Sequence, residues 1–340
     1  MKLSLDVIRD ITLGAAVVKE ENGNIILNRF TAEQEELYRV TNSDFYQKSF
    51  STAGVRLRFE TDSRKLFLKV KTSVSSSRKY FSVDVFANGK PVGFIDNFSQ
   101  MELPLDYTTV DCELGEFSKE FSLEEGTKSV CIYLPWSVKT EICEISVDDG
   151  AFVKAQKPRK KLLAYGDSIT HGYDALRPSN RYASRLCDML GAEEINKGIG
   201  AEIFFPALAE LKDDFTPDYI TVAYGTNDWS KTSEEELIRN CTGFYTNLAK
   251  NYPTSKIFAI TPIWRKDYKD YRPMGDFEKV ENAIKSITAE FENITVIRGF
   301  DFVPHDEKYY ADLRLHPNDE GFAYYADALY KNIKNEVDIL

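Results

Sequence analysis

The hydrophobic pattern changes character partway along the chain. Up to about residue 150, short stretches alternate apolar and polar positions: 50–59, 65–71, 80–86, 92–95, 130–135 and 141–147. In 65–71, Leu66, Leu68 and Val70 fall on one face, with Lys65, Lys69 and Lys71 between and beside them. A period of two marks strands with one buried face. Ala87-Asn88-Gly89-Lys90, between two of these stretches, is a hairpin signal. With no long helical repeat among them, the strands predict an antiparallel sandwich or jelly roll. Residues 1–45 carry the weakest pattern and are expected to add strands and loops to it.

Asp148-Asp149-Gly150 closes the last of these strands, and a polar, basic connector containing Pro158 follows at 155–161. The boundary is expected there, between a 1–155 domain and a 156–340 domain. Beyond it, apolar runs at 162–165, 194–196, 219–224, 257–261 and 295–297 alternate with helical patterns at 181–190, 234–251, 276–291 and 319–333. Ser233 is a good N-cap for the second helix, and Gly191 stops the first. Alternating strand and helix predicts a parallel sheet with helices on both faces, and such sheets bind ligands beyond the C-terminal ends of their strands.

The polar clusters fall at those ends. Gly166-Asp167-Ser168 follows the first strand, Asn196-Lys197-Gly198-Ile199-Gly200-Ala201 the second, and Gly225-Thr226-Asn227-Asp228 the third; Asp312-Leu313-Arg314-Leu315-His316-Pro317 precedes the last helix. A serine on a strand-to-helix turn exposes its hydroxyl beside unpaired N–H groups. Acyl transfer needs a nucleophile, a base, a group to orient the base and donors for the oxyanion. Ser168 can supply the first and His316 the second. Asp312 is the nearest carboxylate in sequence to that base. The N–H of Ser168, an N–H from the Gly200-Ala201 turn and the Asn227 amide can supply the donors.

The four ordered blocks resemble the SGNH (GDSL) hydrolase family over about residues 160–340. The resemblance implies a flavodoxin-like three-layer α/β/α domain, with Ser168 as nucleophile and oxyanion donor, Asn227 as oxyanion side chain and His316 as base. Two positions depart from the family pattern. Ala201 stands where the donor glycine is expected, with Gly200 before it. Asp312 lies four residues before His316 instead of three, so either it reaches the imidazole through a one-residue bulge or the site is a Ser–His dyad oriented by a backbone carbonyl. A β-sandwich ahead of such a domain is similar in layout to the acetyl esterases of carbohydrate esterase family 2. The expected activity is therefore serine esterase chemistry on short acyl, above all acetyl, esters of a carbohydrate. Longer-chain lipase or thioesterase activity, and a carbohydrate-binding protein with a decayed site, are the alternatives.

Asp167 beside the serine, and Trp229 and Trp264 just after two site-bearing strand ends, are the candidate substrate contacts; roles internal to the fold are the competing reading for each. Of the three histidines, His171 is expected to cap or line the pocket rim, and His305 is the one rival base. Composition narrows the rest. The 340 residues, 43 % hydrophobic, suffice for two cores. A net charge of −11 argues against nucleic-acid or anionic-membrane partners. Five scattered cysteines with no C-x-x-C fit reduced thiols. No run approaches the ~20 apolar residues of a membrane span, and the first residues lack an apolar leader, so a cytoplasmic location is expected. No metal-ligand spacing and no dinucleotide fingerprint is present, so neither metal nor cofactor is expected. The partner is a small-molecule or oligosaccharide ester, and homo-oligomer formation stays open.

Overall fold

The structure, a computed structural model, describes residues 1–337. Its first half is built on two antiparallel sheets. One runs Val17–Glu21, Asn24–Asn28, Val138–Val147, Lys65–Val74, Glu116–Ser122. The other runs Thr12–Leu13, Arg56–Thr61, Lys128–Tyr133, Ser82–Ala87, Lys90–Asp96, and Val153–Ala155 also pairs with Arg56–Thr61. The apolar members of the alternating stretches meet in one core, including Leu57, Phe59, Leu66, Leu68, Val70, Val83, Val85, Val130, Ile132 and Ile145. At the expected hairpin, Asn88 and Gly89 have φ of +50° and +75°, a turn that matches strand twist.

Residues 1–45 differ from the expectation of strands and loops. They contain a hairpin, Val17–Glu21 with Asn24–Asn28, but also helices Leu5–Ile11 and Ala32–Thr41, followed by helix Ser43–Ser49. The second starts on a reciprocal cap, Thr31 with Gln34. Strand Glu116–Ser122 also went unread, because only Phe117 and Phe121 give it an apolar face and it lies at a sheet edge.

The second half is a five-stranded parallel sheet ordered Ala192–Asn196, Lys160–Gly166, Tyr219–Ala223, Lys256–Ile260, Ile294–Ile297. In sequence order this is 2-1-3-4-5, the doubly wound arrangement. Leu162 and Ala164 pack into the layer of helices Tyr182–Leu190 and Asp319–Glu336, with Leu186, Phe322 and Leu329. Leu163 and Tyr165 face the other layer, helices Glu234–Asn251 and Glu278–Thr288, with Leu237, Phe244, Leu248 and Ile284. The strand is buried on both faces, so it reads as a continuous apolar run.

The two halves share their interiors. Ala53, Tyr80, Phe98, Tyr107 and Trp136 join the core of Tyr173, Tyr182 and Phe322. Phe30 and Tyr38 join that of Tyr165, Ile199 and Phe204. The contact between the halves runs along the edge strand Ala192–Asn196, from Glu193, whose Oε1 accepts the Gly14 N–H at 2.9 Å, to Asn196 and Gly198, whose carbonyls Arg29 binds.

Candidate active site

The first strand ends at Gly166, and Asp167 then caps a single helical turn, Ser168–His171, by accepting the Ile169 N–H at 2.9 Å. The turn has four residues and ends at Gly172 with φ +107°, so the serine sits beside individual N–H groups and no long helix dipole aims at it. Asp167 is 2 % exposed, and burial, opposed by the Ile169 N–H and His316, pushes its carboxyl up to about 6. The expected substrate contact at Asp167 is corrected to a helix cap.

His316 Nε2 lies 2.8 Å from Ser168 Oγ. The shifted spacing of Asp312 is absorbed by Leu313, whose φ is +54°. In this tight loop Asp312 Oδ1 accepts the N–H groups of Arg314, Leu315 and His316 at 3.0, 2.7 and 3.0 Å. Its Oδ2 stands 3.1 Å from His316 Nδ1. A second carboxylate, which sequence reasoning missed, comes closer: Asp174 Oδ2 is 2.9 Å from the same nitrogen. Neither contact is aligned well enough to be a hydrogen bond. Burial would lower the imidazole's proton affinity, but Asp174 and then Asp312 outweigh it and hold His316 up at about 9. Asp312 is correspondingly held far below the usual carboxylate range, despite burial, by His316 and its backbone donors. Asp174 is likewise lowered: burial opposes ionisation, and His316 and Arg78 overcome it.

The donors come from two other strand ends. Asn227 is the second residue of the helix Thr226–Lys231; its Nδ2 donates to Glu202 O at 3.1 Å, which leaves its second amide hydrogen unspent. In the Asn196–Ala201 turn, the N–H of Gly200 donates to His171 Nδ1 at 3.3 Å, so Gly200 is corrected as an oxyanion donor. Ala201 takes φ +71°. The carbonyls of this turn are drawn away from it. Arg29, fully buried, donates to Asn196 O and Gly198 O at 3.0 and 2.9 Å, and Lys48 donates to Gly200 O at 3.0 Å. Asn196 Nδ2 donates to Thr170 O at 2.7 Å and ties this turn to the serine turn.

The remaining candidates are placed elsewhere. Trp229 is fully buried; its Nε1 donates to Gly275 O at 2.8 Å and the Arg265 and Arg272 guanidiniums cover its ring, which corrects its reading as a substrate contact. Trp264, 9 % exposed, stacks on His305 at 5.4 Å and meets Tyr310 at 5.2 Å, a packing role in place of the expected pocket wall. The rival base His305 bonds Phe300 O at 3.1 Å. His171 lies at no rim: it is fully buried, its Nε2 meeting Ser51 Oγ at 2.7 Å and Trp136 O at 3.0 Å, and burial keeps it neutral. Asp228 accepts the Phe204 N–H at 3.2 Å, and burial pushes it up to about 7. Among the described residues, Asp174, Asp312 and His316 alone bring three metal-capable donor atoms together, within 4.8 Å. Arg78 already neutralises Asp174 there, with contacts of 2.7 and 3.1 Å.

Residues 164–324 match the GDSL-like Lipase/Acylhydrolase family. No curated protein sequence matches the chain. Solved structures share its fold. A salicylyl-acyltransferase from a tetracycline biosynthetic pathway is 18 % identical with a TM-score of 0.81, covering 97 % of this chain and 96 % of its own. A family two carbohydrate esterase from Clostridium thermocellum, in complex with cellohexaose, is 14 % identical with a TM-score of 0.65, covering 85 % and 94 %. An acetyl xylan esterase from the rumen bacterium Butyrivibrio proteoclasticus is 18 % identical with a TM-score of 0.63, covering all of both chains. Over residues 164–324 the chain is thus similar to the GDSL-like Lipase/Acylhydrolase family, with the ordered blocks on the strand ends of a doubly wound sheet, and its fold, the antiparallel sheets ahead of that sheet included, is similar to that of solved carbohydrate esterases.

Proposed function

We propose that the protein hydrolyses short acyl esters, acetyl esters of carbohydrates foremost, through an acyl-serine intermediate. The observation that carries this reading is the 2.8 Å contact between Ser168 Oγ and His316 Nε2. Neutral His316 takes the serine proton as Oγ attacks the ester carbonyl. The oxyanion is met by the N–H groups of Ser168 and Ala201 and by Asn227 Nδ2. The imidazolium returns the proton to the departing sugar oxygen, the acyl–Oγ bond remains, and water deprotonated by His316 then releases the acid. Nothing in this cycle requires a metal or a cofactor. The family two esterases of the same layout support a carbohydrate ester, and the Butyrivibrio enzyme acts on acetyl xylan. Ser168 at 5 % and Asn227 at 9 % exposure leave little free surface at the nucleophile, which favours a small acyl group.

The test is hydrolysis of p-nitrophenyl esters from acetyl to octanoyl, and acetate release from acetylated xylan oligosaccharides, by wild type and Ser168→Ala. Acetate-selective turnover that falls by ~10³ or more in Ser168→Ala is expected. Wild type no faster than Ser168→Ala on every substrate overturns the reading. Added alcohol that captures the acyl group in preference to water would assign the enzyme to acyl transfer instead.

A further inference from the structure

The carboxylate that sequence missed has its own support, and that support comes from the other half of the chain. Asp174 is fully buried and takes φ +73°. A non-glycine residue held there costs on the order of 1 kcal/mol and persists only where its surroundings impose it. The surroundings are three side chains of the sandwich half. Arg78 donates from Nε to Oδ1 at 2.7 Å and from Nη2 to Oδ2 at 3.1 Å. The Tyr80 hydroxyl donates to Oδ1 at 2.6 Å, and the Tyr107 hydroxyl to the Asp174 carbonyl at 2.7 Å. Asp312, by contrast, spends one oxygen on three N–H groups of its own loop. The groups facing His316 are these two carboxylates, the Tyr173 ring at 5.7 Å and Ser168, with Arg78 behind Asp174 and Asp167 behind the serine.

We infer that Asp174 is a positioning residue which shares with Asp312 the task of orienting His316, and that Arg78, Tyr80 and Tyr107 hold it there, so the base is assembled across the contact between the two halves. Two anionic carboxylates against one imidazolium and one guanidinium balance when His316 carries the proton, which is the state formed as serine attacks. The inference rests on His316 being the base, as in the proposed mechanism.

The experiment compares wild type with Asp174→Asn, Asp312→Asn and the double variant. It reads kcat and KM on p-nitrophenyl acetate and the titration of His316 by NMR of labelled imidazole carbons. Three histidines make the spectrum short, and His316→Asn assigns the signal. The expected result is that Asp174→Asn lowers kcat by ~10–100-fold with KM nearly unchanged, and lowers the His316 midpoint by about one pH unit or more. Asp312→Asn keeps a raised midpoint, and the double variant loses ~10⁴ in kcat, the cost of removing the orienting acid altogether. A latch with no part in the chemistry would change folding stability and leave the midpoint alone. An Asp174→Asn midpoint within about 0.3 of wild type therefore overturns the inference. So does an Asp312→Asn variant that alone drops to the ordinary imidazole range with the full ~10⁴ loss, and this arm decides if Asp174→Asn does not fold. The titration needs no turnover, so an absent esterase activity does not hide the answer.

Discussion

The sharpest consequence of two carboxylates on one imidazole is the pH at which the enzyme works. As the proposed general base, His316 must be neutral in the free enzyme, and kcat/KM reports that ionisation. With the imidazole held up at about 9, about 1 % of it is neutral at pH 7 and about a tenth at pH 8. The rate on p-nitrophenyl acetate should therefore climb nearly tenfold per pH unit from 6 to 8 and level off near 9. The assay is initial rates at low substrate across pH 5–10, with Ser168→Ala at each pH subtracted for alkaline hydrolysis of the ester. Stability should move the other way. A histidine raised in the fold from 6.5 to about 9 contributes stability that is complete below about pH 6.5 and lost as pH rises through about 9. That interval corresponds to on the order of 3 kcal/mol, shared with the two carboxylates and not additional to them. Glu202 adds to the same trend. Burial lifts it to about 8 against the hydroxyls of Tyr224 and Tyr38, so its contribution is complete below about pH 4.5 and lost as pH passes 8. Tm should thus fall between pH 5 and 9 while kcat/KM rises. A kcat/KM already level at pH 7 would refute the reasoning, because it would mean that the carboxylates do not hold a proton on His316.

Two further predictions separate backbone from side-chain roles. A Cβ on Gly200 would come within 2.6 Å of the Tyr173 ring, which is wedged against Trp136, His171 and His316, so Gly200→Ala should abolish most activity, whereas Ala201→Gly at φ +71° should keep it within a few-fold; ester turnover of the two purified variants checks this. Glu194 accepts two bonds from Arg181, at 2.8 and 3.0 Å, with both side chains almost fully buried; Glu194→Gln, which strands that guanidinium, should lower stability by ~3–5 kcal/mol, measured as urea unfolding against wild type.

What could be read in the sequence was what the chain specifies locally. The strand 162–165 is a run of four apolar residues because both its faces are covered, and each polar block begins where such a run stops. Ser168, Asn227 and His316 are each placed by a strand end or loop within a few residues of themselves. The departure at Asp312 was legible as a departure. Its resolution was not, because it depends on Leu313 adopting φ +54°, which no residue type announces. The aromatic positions misled for a related reason. Trp229 and Trp264 follow site-bearing strands, but the partners that withdraw Trp229 are Gly275 and Arg272, more than forty residues on, and His305 lies as far beyond Trp264.

Asp174 shows where local reading stops. It follows the serine by six residues, in a Gly-Tyr-Asp-Ala stretch that carries no motif, and nothing near it in sequence explains a buried charge. Its partners lie 67 to 142 residues away: Tyr107, Tyr80 and Arg78 on one side, His316 on the other. The same holds for the turn at Asn196–Ala201, whose carbonyls are gripped by Lys48 and by Arg29, the latter from residues 1–45, the stretch whose pattern was weakest. Residues 1–45 gave a weak amphipathic signal because they cover the second half with polar as well as apolar groups, among them Arg29 and Gln34, both buried. The sandwich half thus supplies the fixed charges and donors around a proposed catalytic set whose members all lie in the second half. On this geometry, a fragment of the second half alone would keep the proposed nucleophile and base, Ser168 and His316, but lose the groups that hold Asp174 and the Asn196–Ala201 turn.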